Sequence, residues 1–222
     1  MSRGGARTLP SGSPPGGAAR VGLRLAHLHL ASRRVPAALA AVAACAVGLR
    51  IALLHGHWTA YGARQLPLIF ETGCAVVIAA TTASPFGEPE RATGRWLPFL
   101  RLGTALVLTA AAAGALAAAG TGAHLAGGTL DVLRDTAGLT GLGLLCAAAL
   151  GGPLAWAGPA GYLMVALYAL YTQWHGPALT TPWIWPARPP HDVGAAICAG
   201  LVFAGGVLLI AVRGARDTVA GS

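Results

Sequence analysis

Apolar residues run in long, nearly unbroken stretches along this chain, and polar residues collect in the gaps between them. Six runs stand out, at Val35–Leu54, Leu66–Ala83, Leu97–Gly120, Thr136–Gly151, Leu154–Tyr171 and Val193–Val212. A helix rises ~1.5 Å per residue, so about 20 residues cross ~30 Å of hydrocarbon. The pattern predicts an all-α, polytopic membrane protein with six transmembrane helices over residues 35–213. The fourth and fifth runs merge into one uncharged stretch from Thr136 to Tyr171. As a single helix it would reach about 54 Å, too long even with strong tilt. Gly151, Gly152 and Pro153, with Gly158 and Pro159, are the residues able to break it into a tight hairpin.

The flanks read differently. Residues 1–19 are rich in Gly, Pro, Ser and Arg, and read as a disordered cytoplasmic tail. Residues 20–34 mix Val21, Leu23, Leu25, Leu28 and Leu30 with Arg20, Arg24, His27, His29, Arg33 and Arg34. That mixture predicts an amphipathic helix lying in the membrane interface. Pro36 suits the first turn of the next helix, where its missing N–H matters little. Residues 214–222 form a second cytoplasmic tail. Ser32, Arg33 and Arg34 before an apolar stretch, and Val42 to Cys45, look like export and lipoprotein signals. The apolar run continues past Cys45 to Leu54, however, so the segment is expected to stay uncleaved as the first span.

Composition sharpens the picture. Hydrophobic residues make up 55% of the 222 and charged residues 10%; a soluble domain carries about 25% charged residues. The net charge is +8, and all fifteen basic residues are arginine. So little polar surface excludes a basic globular face for nucleic acid. The arginines flank the spans and report orientation instead. With the N-terminus inside, the inner segments hold eleven arginines and the outer ends four, at 50, 64, 134 and 188. Both termini are therefore expected in the cytoplasm. Trp58, Trp174, Trp183 and Trp185 fall at the outer boundary and Trp96 at the inner one, as an aromatic belt would. Arginine without lysine, beside abundant Ala and Gly, suggests a high-GC bacterium and hence a bacterial plasma membrane. The four cysteines all lie in apolar runs and read as small buried hydrophobes rather than disulfides.

Candidate chemistry is sparse. Arg50 and Glu71 lie at similar depth on consecutive spans, and ionisable groups within lipid pair or face a cavity. They are expected either to form an ion pair fixing the first hairpin, or to act separately, with Arg50 snorkelling to headgroups and Glu71 facing water or protonated. His55, His57, His124, His175 and His191 fall at outer span ends. His55 and His57 have a spacing that copper or zinc could use. No Cys or Glu completes a set beside them, so no metal is assigned. Residues 172–192 hold three tryptophans and five prolines. This stretch is too broken to span, and either dips into the outer leaflet against protein or forms a Trp-anchored loop. Ala196, Gly200 and Ala204 have the spacing of a close helix contact.

The most charged internal segment is the loop from Ser84 to Arg101, which contains Glu88, Glu90, Arg91, Gly94 and Arg95. It reads either as a solvated loop of orienting arginines or as a docking element for a cytoplasmic partner. From Arg20 to Arg216 the chain resembles the permease subunits of ABC transporters, of the type-2 exporter class. The resemblance lies in the basic helix before the first span, the six spans, and Glu90 and Arg91 followed by Gly94. It extends to the tight turn between spans four and five and the broken outer segment before span six. The chain departs from the family where Arg95, Trp96 and Pro98 follow Gly94.

The resemblance implies a transport path closed by a second permease subunit, identical or not, and a separate ATP-binding subunit docked on Glu88, Glu90, Arg91, Gly94 and Arg95. This chain has no phosphate loop, since it has no lysine to complete one. No catalytic group and no directly bound cofactor are expected in it, with ATP on the partner. Two other functions fit the sequence. One is a metal- or redox-linked membrane protein using the outer histidines; the other is a non-transporting scaffold or immunity protein.

Overall fold

The computed structural model describes residues 35–56, 58–81, 97–122, 127–175 and 181–213. The expected tail 1–19, the interfacial helix 20–34 and the tail 214–222 lie outside the described residues. So does the loop with Glu88, Glu90, Arg91, Gly94 and Arg95. Six helices cover most of what is described: α1 Val35–His55, α2 Ala60–Thr81, α3 Leu97–Ala119, α4 Gly128–Leu150, α5 Ala157–His175 and α6 Val193–Arg213. All six are long and apolar enough to cross a membrane. The protein is a polytopic all-α membrane protein. Large apolar side chains such as Val107, Met164, Leu201 and Val212 point outward on the bundle, as lipid-facing residues do. The α1–α2, α3–α4 and α5–α6 connections share one end of the bundle, called here the connection end.

Helix α4 is the centre. It packs against α6, α2, α3 and α5, while α1 lies outside against α2 and α3. Glycine explains why α4 can sit there. A Cβ on Gly141 would lie 2.5 Å from the Phe203 Cα, and one on Gly206 would lie 2.5 Å from the Gly141 carbonyl oxygen. The α4 and α6 backbones therefore touch at a reciprocal glycine contact, which small residues permit in membranes. On another face, a Cβ on Gly143 would come within 2.7 Å of the Ala79 Cβ. The α6 face that meets the bundle carries the buried residues Ala195, Ala199, Gly206 and Ile210. Ala196, Gly200 and Ala204 are exposed, and Gly200 has open space where a Cβ would go. The expected contact through Ala196, Gly200 and Ala204 does not form, and the packed face of α6 lies about one residue round from it. One residue is ~100° of helix rotation, enough to turn a packing face toward lipid.

Two helices begin earlier than expected. Helix α2 starts at Ala60 rather than Leu66 and holds Pro67 inside it. Helix α4 starts at Gly128 rather than Thr136 and takes in Asp131, Arg134 and Asp135. Charge in a hydropathy pattern marks a span end; here Arg134 pairs with both aspartates inside the bundle. The α4–α5 hairpin breaks at Gly151, whose φ of +96° suits only glycine. A short 3-10 turn, Gly152–Leu154, follows. Gly158 and Pro159 lie in the first turn of α5 instead, where proline is tolerated.

Candidate functional site

Near the connection end of the bundle, α2 and α4 hold four ionisable side chains away from solvent. Glu71 projects from α2, and Asp131, Arg134 and Asp135 from α4. Asp131 and Asp135 are four residues apart and so share one helix face. Arg134 pairs with both. Its Nε donates to Asp135 Oδ1 at 3.0 Å, and its terminal nitrogen lies 2.9 Å from Asp131 Oδ1 as an ion pair. Nη1 donates to the Pro189 carbonyl at 3.1 Å, tying the α5–α6 connection to α4. Arg134 is 7% exposed and Asp135 6%. A buried pair of this kind holds only when its remaining polar atoms are also matched.

Glu71 is not matched. It is 2% exposed, and its Oε2 has no hydrogen-bond partner. The expected ion pair with Arg50 does not form. Arg50 turns the other way, where Nη1 donates to the Ala119 carbonyl at 3.2 Å and also to that of Thr121. These oxygens end α3, where carbonyls lack helical donors and the helix dipole favours a cation. The competing acceptors on α3 could not be seen without knowing which helix faced α1.

A cleft of about 30 Å³ opens beside Glu71. It is lined by Ala63, Arg64 and Pro67 of α2, by Asp131 and Asp135 of α4, and by Pro186. Pro67 has no N–H, so the Ala63 carbonyl loses its usual helical donor at the cleft wall. Among the described residues, no three His, Cys, Asp or Glu side chains converge as ligands for one metal ion. His55 contacts its own helix at Ile51. His175 stacks on Tyr171, with centroids 4.4 Å apart. His57 and His124 lie outside the described residues.

The α5–α6 connection closes the site from the side. Its 3-10 turn Trp185–Ala187 is buried. Trp185 is 2% exposed and stacks on Tyr162 at 4.4 Å. It fits because position 138 is glycine, where a Cβ would lie 2.6 Å from the indole. The Tyr162 hydroxyl donates to the Trp183 carbonyl at 2.8 Å, and the Gln173 amide to that of Ala187. Trp185 is therefore a core residue rather than part of an aromatic belt, whereas Trp58 and Trp183 are about half exposed. Asp192 then caps α6, accepting the Ala195 N–H at 3.1 Å and pairing with Arg188.

Sequence reasoning singled out Glu71 but missed Asp131, Arg134 and Asp135 as a group. The signal was present: an acid, a base and an acid at i, i+3 and i+4 before an apolar run, which on a helix form one face. No family model, no curated protein and no solved structure matches this chain.

Proposed function

We propose that this chain is the permease subunit of an ATP-driven exporter in a bacterial plasma membrane. It lines a transport path, while a separate ATP-binding subunit drives the cycle. The observation that carries the reading is the broken segment before α6, which folds inward and buries Trp185 between α4 and α5. Non-helical backbone at membrane depth is tolerated only when protein or a water-filled cavity satisfies it, and here Tyr162, Gln173 and Arg134 do so. An inward-packed segment before the last span, and a tight turn after the fourth, are two of the features that the resemblance to type-2 exporter permeases calls for. Arginine sorting supports cytoplasmic termini, which puts Glu88, Glu90, Arg91, Gly94 and Arg95 on the side of the ATPase. A second six-span subunit completes the path.

The test is affinity purification from native membranes, comparing the wild type with a Glu90→Ala, Arg91→Ala double variant. The wild type is expected to bring down a phosphate-loop ATPase, and the double variant to lose it while still reaching the membrane. Recovery of the wild-type chain with no ATPase, under mild detergent and after crosslinking, rejects the reading.

A further inference from the structure

We propose that Glu71 is a proton-exchanging group, loaded through the cleft between α2 and α4 from the connection end of the bundle. The inference stands apart from the exporter reading, since it needs neither a partner subunit nor a cargo.

The argument begins with charge. The cluster holds three carboxyl groups and one guanidinium, and Arg134 spends its donors on Asp135, Asp131 and the Pro189 carbonyl. None of these contacts reaches Glu71, whose Oε2 is buried without a partner. An ionised carboxylate there would be an uncompensated charge beside two others, in a site shielded from water. The other groups facing the site do not change this. Arg64 on α2 stands at the partly exposed mouth, and His191 in the α5–α6 connection is exposed. Cys74 on α2 and Tyr162 on α5 carry no positive charge, and Arg50 on α1 is held at the end of α3.

Size and shape then select the ligand. A volume of about 30 Å³ admits roughly one or two waters. The carboxyl groups do not converge on a metal position among the described residues. A proton carried by cleft water fits both limits. The step is a simple transfer: a hydronium in the cleft gives its proton to Oε2, an O–H bond forms, and one water remains. Release is the reverse. The Ala63 carbonyl, relieved of its helical donor by Pro67, is an acceptor for that water.

The test uses the full chain in lipid nanodiscs and an apolar carbodiimide, dicyclohexylcarbodiimide, which adds to a carboxyl group only in its protonated form. Peptide mass mapping of the wild type is expected to place the adduct on Glu71. Its yield should rise several-fold from mildly alkaline to mildly acidic buffer and exceed that on Asp131 and Asp135, whose carboxyl groups meet the Arg134 guanidinium. No adduct at any pH, an adduct on either aspartate in place of Glu71, or a yield independent of pH would each overturn the proposal. Because the wild type carries the readout, a folding defect in Glu71→Gln cannot obscure it. Where Glu71→Gln does fold, it is expected to remove a protonated-carboxyl infrared band that the wild type shows and that shifts in heavy water. Persistence of that band also counts against Glu71.

Discussion

Asp192 and Glu71 show how one residue type takes opposite roles according to the donors around it. Asp192 sits outside the spans. The Ala195 N–H that it accepts, followed by the Arg188 guanidinium, holds its carboxyl below the usual carboxylate value. A depressed folded value gives stability that is present above the ordinary carboxylate range and lost as pH falls through the folded value. Acidification should therefore lower the melting temperature of the wild type. Asp192→Asn, which keeps a capping oxygen but cannot ionise, should lose less over the same range. Arg134 makes the converse case. Replacing it with leucine leaves buried Asp135 and half-buried Asp131 without a cation, and removal of one partner from a buried pair costs about 3–5 kcal/mol. Thermal denaturation in detergent should show that loss for Arg134→Leu, and recovery in the triple variant Asp131→Asn, Arg134→Leu, Asp135→Asn. Stability unchanged by Arg134→Leu would mean that the cluster is not held by its arginine.

At the scale of elements, backbone approach decides the bundle. The α4–α6 contact leaves no room for side chains at Gly141 or Gly206. Gly141→Val forces two backbones apart and should cost about 3 kcal/mol or more, the upper range for overpacking. Gly200→Ala, on an open face of the same α6, should be neutral or gain up to about 1 kcal/mol from helix propensity. Melting curves of the two variants in one detergent compare them directly. The α5–α6 connection rests in a similar way on one large side chain. Trp185→Ala should cost about 3–5 kcal/mol through the cavity left above Gly138. Tyr162→Phe removes one hydrogen bond and keeps the stacking, so about 1 kcal/mol is expected. Limited proteolysis at the connection end should cut Trp185→Ala much faster than Tyr162→Phe.

For the molecule as a whole, six crossings put Val35 and Arg213 on one side, and arginine sorting predicts that this side is the cytoplasm. Reporters fused at the two ends should therefore both be active only in cytoplasmic form, and one periplasmic signal would break the orientation. The sequence by itself determined the class and the number of spans, because transfer of apolar side chains into hydrocarbon is a local sum over ~20 residues. It also determined that the run from Thr136 to Tyr171 must break, at Gly151–Pro153 or Gly158–Pro159, and the structure chose Gly151. Only the tertiary structure decided where α2 and α4 begin. Asp131, Arg134 and Asp135 look like a span end until their mutual pairing is seen. Only the tertiary structure sent Arg50 to the end of α3, turned α6 by one residue, and buried Trp185 over a glycine on α4. Each of these depends on which helix faces which. In a chain so rich in alanine and glycine, close backbone contact is open to many faces, and the packing of the other helices selects among them.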